Sequence, residues 1–199
     1  YEKTSALQAS LASLKESYLH TMEAIVNILD THETATADHS RRVSDLAVFL
    51  ARKMGVSNSG ELETIKYGAI LHDIGKIGVP NVLINKPAKL TDEERDLMQK
   101  HVELGYNVLK NIPALKDAAE IVRSHHERFD GKGYPRGLGG KDICLGARIF
   151  SLVDTFDALR SGRVYSRAVP LEKIVMEINK CSGTQFDPDV VKAFNECYV

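Results

Sequence analysis

The chain has 199 residues, 43% of them hydrophobic and 27% charged, with a formal net charge of -1. A chain of this size can bury a full core in one or two domains, and nothing in its near-neutral balance points to a surface built for nucleic acid or an anionic membrane. Its three cysteines form no Cys-x-x-Cys pair, which argues against a disulfide framework or a thiolate zinc knuckle and fits a reducing cytoplasm. There is no apolar run of about 18 residues and no signal-peptide pattern, so a cytoplasmic location is expected. The sequence opens at Tyr1 inside an apparent helix, which predicts a piece of a longer protein.

Over residues 5–30, Leu7, Leu11, Leu14, Tyr18, Met22, Ile25 and Leu29 recur at spacings of 4, 3, 4, 4, 3 and 4, with neither Gly nor Pro between them. This is a helical seam close to a heptad, with one extra residue between Tyr18 and Met22. It reads either as a coiled-coil connector to an upstream domain, able to pair two copies of the chain, or as an amphipathic helix packed on its own core. We expect a connector over 1–33, ahead of a globular domain over 34–199.

A second helix, about 38–54, sets Val43, Leu46, Ala47, Leu50 and Met54 on one face and stops at Gly55. A third starts near residue 57 or 59 and carries Leu62, Ile65 and Ala69 on one face, with Ile70 and Leu71 leading into His72-Asp73. A glycine-punctuated turn, Gly75 to Pro80, follows. Thr91 and Glu94 form a capping box that predicts a single helix of about 18 residues holding His101. Another helix covers 113–126 and gives way to the loop Asp130-Gly131-Lys132-Gly133-Tyr134-Pro135. The stretch 145–159 is strongly apolar yet holds Asp154 and Asp157. A helix over 170–180 and a final one opened by Asp187-Pro188 complete the chain. With no convincing β-pattern or repeat, the fold is expected to be an all-α bundle of about seven helices behind a long N-terminal helix.

Five of the seven histidines, His39, His72, His101, His125 and His126, fall on or at the ends of these helices. His20 and His32 read as structural or surface residues. Adjacent helical residues project about 100° apart, so one metal rarely uses both members of a His72-Asp73 pair as ordinary ligands. A carboxylate, however, can bridge two metals while the neighbouring imidazole binds one, which points to a two-metal site. The plainer reading of that pair is a helix-end hydrogen bond. Asp154 follows Ile149-Phe150-Ser151-Leu152-Val153, where an unpaired buried charge would cost several kcal/mol and a metal would compensate it. The plainer reading of His125-His126 is two exposed polar residues at a helix end, and that of His101 a hydrogen-bonded core residue, and both carry less weight than metal ligation.

Taken together, His72-Asp73-Ile74-Gly75-Lys76, His125-His126-Glu127-Arg128-Phe129-Asp130-Gly131-Lys132-Gly133-Tyr134-Pro135 and Asp154-Thr155-Phe156-Asp157-Ala158-Leu159 resemble the HD-GYP family. That family is a branch of the HD superfamily of metal-dependent phosphohydrolases. The resemblance covers about 34–199 and implies an HD-domain bundle that hydrolyses cyclic di-GMP to pGpG, with further cleavage to GMP left open, by a hydroxide bridging two metals, iron or manganese. It assigns His39, His72, Asp73 and Asp154 to one metal and Asp73, His101, His125 and His126 to the other. A third metal in some relatives uses a glutamate where this chain has Ala35, and Glu33 is poorly placed to replace it, so two ions are expected. Asp73 and Lys76 are the expected catalytic residues. Lys76, Arg163, Tyr134 and Arg160 are expected to meet substrate, and the Gly-Tyr-Pro loop is linked in the family to diguanylate cyclase (GGDEF) domains. The chain departs from the family pattern at Arg160, Gly162, Val164 and Ser166, which leaves 3′,3′-cyclic GMP-AMP as an alternative substrate. A catalytically silent cyclic-dinucleotide receptor and a nucleotide phosphohydrolase of the wider superfamily are the remaining readings.

Overall fold

A computed structural model describes residues 2–30, 39–161 and 169–198, with side chains on the first helix at residues 6, 7, 10, 13, 14, 16–22 and 24–26. Its elements in order are α1 (Glu2–Asp30), α2 (His39–Lys53), α3 (Ser59–Leu71), a 3-10 turn (Ile74–Gly78), α4 (Asn81–Ile84), α5 (Asp92–Gln99), α6 (His101–Leu109), α7 (Lys116–Ser124), α8 (Leu145–Ser161), α9 (Leu171–Lys180) and α10 (Pro188–Tyr198). The all-α expectation holds, and among the described residues the only extended pairings are two isolated bridges, Asp130 with Gly139 and Ser182 with Phe186. None of the described helices is long and apolar enough to cross a membrane.

Two of the expected helices are subdivided. The single helix predicted after Thr91 is two. The capping box is present, with the Glu94 N–H donating to Thr91 Oγ1 and the Thr91 N–H to Glu94 Oε2. The chain then tightens at Lys100, whose N–H bonds to the Leu97 carbonyl three residues back. None of α5 is buried, whereas α6 begins with the buried His101. The helix predicted over 113–126 opens as a 3-10 turn, Pro113–Leu115, before α7.

Two apolar clusters meet beside α3. One joins α2, α3, α8, α9 and α10 around Phe150, Phe156, Phe186 and Phe194. The other joins α1, α3, α6 and α7 around Met22, Val26, Tyr67, Ile70, Leu71 and Val122. Helix α3 contributes Ile65 and Ala69 to the first and Ile70 and Leu71 to the second, so its C-terminal end lies where the clusters converge.

The seam expected along α1 divides into two faces. Met22 and Val26 are buried in the second cluster, while Leu7, Leu14, Tyr18 and Ile25 face outward. At about 100° per residue, Met22 is rotated some 60° from Ile25 and about 40° from both Tyr18 and Val26, so it lies between the two rows, and its burial in the second cluster places it with Val26. Met22 therefore does not belong to the outward row.

Candidate metal centre

The site histidines arrive from four separate pieces of local structure, with His125 and His126 sharing one. Helix α3 ends at Leu71, His72 is its C-cap, and Asp73 turns the chain into the 3-10 segment. That segment crosses α6 so closely that a Cβ at Gly75 would overlap the His101 carbonyl and the Gly105 N, so only glycine fits. His101 opens α6, His125 follows α7 as its C-cap, His39 opens α2, and Asp154 projects from the middle of α8.

The described donors fall into two groups, His39 with His72 and Asp154, and His101 with His125 and His126. Within each group the ligand atoms lie no more than 4.8 Å apart. Asp73 stands between them. Its Oδ2 is 3.0 Å from His72 Nε2, and its Oδ1 is 3.5 Å from His101 Nε2. One carboxylate oxygen thus faces each group.

Three of the rings are oriented in the same way. Nδ1 of His72 donates to the Ala69 carbonyl at 2.8 Å, Nδ1 of His101 to the Met98 carbonyl at 2.7 Å, and Nδ1 of His125 to the Val122 carbonyl at 2.6 Å. A carbonyl only accepts, so the proton of the neutral ring is fixed on Nδ1 and the Nε2 lone pair is left to point into the site. Nε2 of His101 then lies 3.4 Å from Nε2 of His125. Two lone pairs facing each other in a buried site call for a cation between them, and the donor set fits a divalent metal with imidazole and carboxylate ligands.

The electrostatics of the two groups differ. Burial opposes protonation of His39, but Asp154 at 3.2 Å and Asp157 at 2.7 Å outweigh it and hold the ring up to about 9. Burial likewise opposes the charge on Asp73, yet His72, Lys76 and His101 keep its carboxyl well below the usual range. In the other group, burial and the neighbouring His126 push His125 well below the ordinary histidine value, and burial with His101 takes His126 down to about 4. One half attracts positive charge through carboxylates, and the other presents neutral imidazoles.

The walls follow from packing. Phe150 contacts the His72 ring at a centroid distance of 4.7 Å and the His125 ring at 5.6 Å. Tyr134 stacks on His126 at 4.7 Å, and Lys76 Nζ rests 2.8 Å from Asp73 Oδ2 at the partly open edge. The loop carrying Tyr134 is anchored by the buried Glu127, whose two carboxylate oxygens accept the Arg136 and Leu138 N–H groups at 2.8 and 3.0 Å. Gly133 is a second required glycine, because a Cβ there would run into the backbone of 126–128.

Nine of the residues singled out from sequence are thus gathered in one place: His39, His72, Asp73, Lys76, His101, His125, His126, Tyr134 and Asp154. Arg160 is not among them; it is exposed, with its guanidinium 5.7 Å from the Phe156 ring, on the side of α8 that meets Phe194 and Tyr198. Arg163, Ala35 and Glu33 lie outside the described residues. Sequence reasoning gave no role in the site to Asp157, Arg42, Phe150 or Glu127. The available signal was the three-residue spacing that sets His39 beside Arg42 on α2 and Asp154 beside Asp157 on α8.

Residues 23–190 match the model of the HD domain family. The chain is 41% identical over 182 residues to a cyclic di-GMP phosphodiesterase of Thermotoga maritima, covering 90% of this chain and 49% of that protein. It is 35% identical over 184 residues to a 3′3′-cGAMP-specific phosphodiesterase of Vibrio cholerae, covering 92% of this chain and 40% of that one. The chain therefore spans less than half the length of either relative. Among solved structures, it resembles a protein of Bdellovibrio bacteriovorus described as HDG"Y"P, with a TM-score of 0.66 and 21% identity over 92% of this chain and 63% of that one. Since the family model covers most of the sequence and the site is assembled from the histidines and aspartates on these helices, the chain belongs to the HD domain family.

Proposed function

We propose that this chain is a metal-dependent phosphodiesterase that opens cyclic di-GMP to linear pGpG. The observation that carries the reading is Asp73, with one carboxylate oxygen toward each histidine group. His39, His72, Asp154 and Asp73 Oδ2 would hold one divalent ion, and His101, His125, His126 and Asp73 Oδ1 the other, with iron or manganese suited to this imidazole and carboxylate set. When bound, such a pair supplies water activation at neutral pH and charge neutralisation at the phosphoryl oxygens.

The chain's own residues do the rest. Asp73 aligns the two halves. Lys76 is poised at the edge to turn its ammonium from Asp73 toward a non-bridging phosphoryl oxygen, stabilising charge that grows as the phosphodiester is attacked. Phe150 and the Tyr134 ring wall the site, and Arg163 is assigned to substrate by the family pattern. Hydrolysis adds water across the phosphodiester: the water oxygen joins phosphorus, the ribose 3′ oxygen leaves, and it takes up a proton. The same site would accept 3′,3′-cyclic GMP-AMP, a second reading favoured by the Vibrio cholerae relative. Arg160, set toward Phe156, is a weaker candidate for substrate contact than Lys76.

Further proposals concern partners and place. The outward row Leu7, Leu14, Tyr18 and Ile25 on α1 suits a second copy of this chain. The Gly-Tyr-Pro loop suits a GGDEF domain, and the three free cysteines suit a reducing cytoplasm. The test of function is anaerobic turnover of both cyclic dinucleotides by iron- or manganese-loaded protein. Linear product that disappears in Asp73→Ala supports the reading. Tight binding without product would replace it with a receptor.

A further inference from the structure

His39 differs from His72, His101 and His125 in how its ring is held. Those three use the carbonyl three residues earlier in their own chain segment. His39 is the first residue of α2 and takes its Nδ1 partner from another helix: Asp157 Oδ2 of α8, at 2.7 Å. Asp157 is buried, at 3% exposure, and is itself fixed by Arg42, which donates from Nε to Oδ1 at 2.8 Å and from Nη2 to Oδ2 at 2.9 Å. Two residues three apart on α2, His39 and Arg42, therefore face two residues three apart on α8, Asp154 and Asp157. Asp154 meets the Nε2 edge of the ring and Asp157 the Nδ1 edge.

We infer that Asp157, aimed by Arg42, is the positioning residue for His39, and that it sets the affinity of only one of the two metal sites. This rests on the two-ion reading above. A carboxylate accepting the Nδ1–H fixes the tautomer, holds the ring plane and makes Nε2 a stronger donor than a carbonyl partner would. The ion held by His39, His72 and Asp154 thus depends on a side chain 118 residues away in sequence from His39, while the ion held by His101, His125 and His126 does not.

The test is titration of the ion-free chain with Mn(II), following binding by calorimetry and by the electron paramagnetic resonance of free manganese, for the unaltered chain, Asp157→Asn, His39→Gln and Asp187→Asn. Asp187, directly ahead of α10, is an equally buried carboxylate paired with Arg148 of α8 and with Lys141, and it controls for lost stability. In Asp157→Asn, one site should weaken by about 10- to 100-fold, the same site that His39→Gln removes, with the other unchanged. Asp187→Asn should lower the melting temperature and leave both affinities alone. Two sites of unaltered affinity in folded Asp157→Asn would overturn the inference, as would equal weakening of both. Fewer than two sites in the unaltered chain would overturn the two-ion reading and this inference with it. If Asp157→Asn does not fold, Arg42→Gln carries the test, with a smaller loss at the same site expected and no loss at that site overturning it.

Discussion

The two halves of the candidate centre solve one problem by different means. In the imidazole half, His101 and His125 are oriented by carbonyls three residues away, so a short stretch of chain fixes each ring. In the carboxylate half, His72 is held by the Ala69 carbonyl in the same way, but His39 is oriented across the bundle by Asp157 and Arg42, and Asp154 completes the set from α8. The first half is as rigid as its local backbone. The second depends on α2 and α8 holding their spacing, which the packing of Val43, Ala47, Phe150 and Val153 maintains. Asp73, at the end of α3, is the element both halves share.

The comparison breaks most completely at that shared residue. Asp73→Ala should remove a ligand from both ions and reduce turnover by more than the roughly 100-fold typical of losing an outer partner. Metal analysis and product assay on one sample check this. A variant that retains two ions and full turnover would sever the link between the halves. Gly75→Ala should act mainly on the imidazole half, because the added methyl must displace the His101 carbonyl and the Gly105 backbone. Overpacking of this kind costs about 1–3 kcal/mol or more, read as a fall in melting temperature together with weaker binding of one ion. Next comes Glu127→Ala, which leaves the Arg136 and Leu138 N–H groups without their carboxylate and loosens the loop bearing Tyr134. A loss of about 1–3 kcal/mol is expected in denaturant melts, with less effect on metal content than Gly75→Ala.

Much of the site was legible because its chemistry is compact in sequence. His72 with Asp73, His125 with His126, and an aspartate in an apolar run each carry their signal within a few residues, and helical periodicity placed them on an all-α scaffold. The partners that orient them were not legible in the same way. Asp157 and Arg42 lie 115 residues apart, and only the crossing of α2 over α8 makes them a pair. Glu127 reads in sequence as one more acidic neighbour of the histidines, whereas folding buries it and turns it toward two loop amides. Along α1 the spacing announced a helix and an apolar row, but two faces share its apolar residues, and only packing against Tyr67 and Ile70 assigns Met22 to the inner one. The break between α5 and α6 was likewise hidden, since the capping box fixes where α5 starts and the turn at Lys100 depends on where His101 must be buried.

The smallest predicted effect concerns acid stability away from the centre. Burial opposes ionisation of Asp187, but Arg148 and the Asp189 N–H outweigh it and keep its carboxyl below the ordinary aspartate value. A carboxyl depressed by folding stabilises the protein above its unfolded value of about 3.9 and loses that contribution as pH falls through the folded value. Unfolding titrations should therefore show stability falling below about pH 4 with a shallower slope in Asp187→Asn. An unchanged slope would remove Asp187 from the acid response and leave the centre's own carboxylates as its source.

Electron paramagnetic resonance of the chain loaded with manganese reads whether Asp73 joins two otherwise separate metal sites. Magnetically coupled Mn(II) ions are expected in the unaltered chain, with loss of that coupling in Asp73→Ala. Two bound manganese ions with no coupling, or coupling that survives in Asp73→Ala, would contradict that role for Asp73.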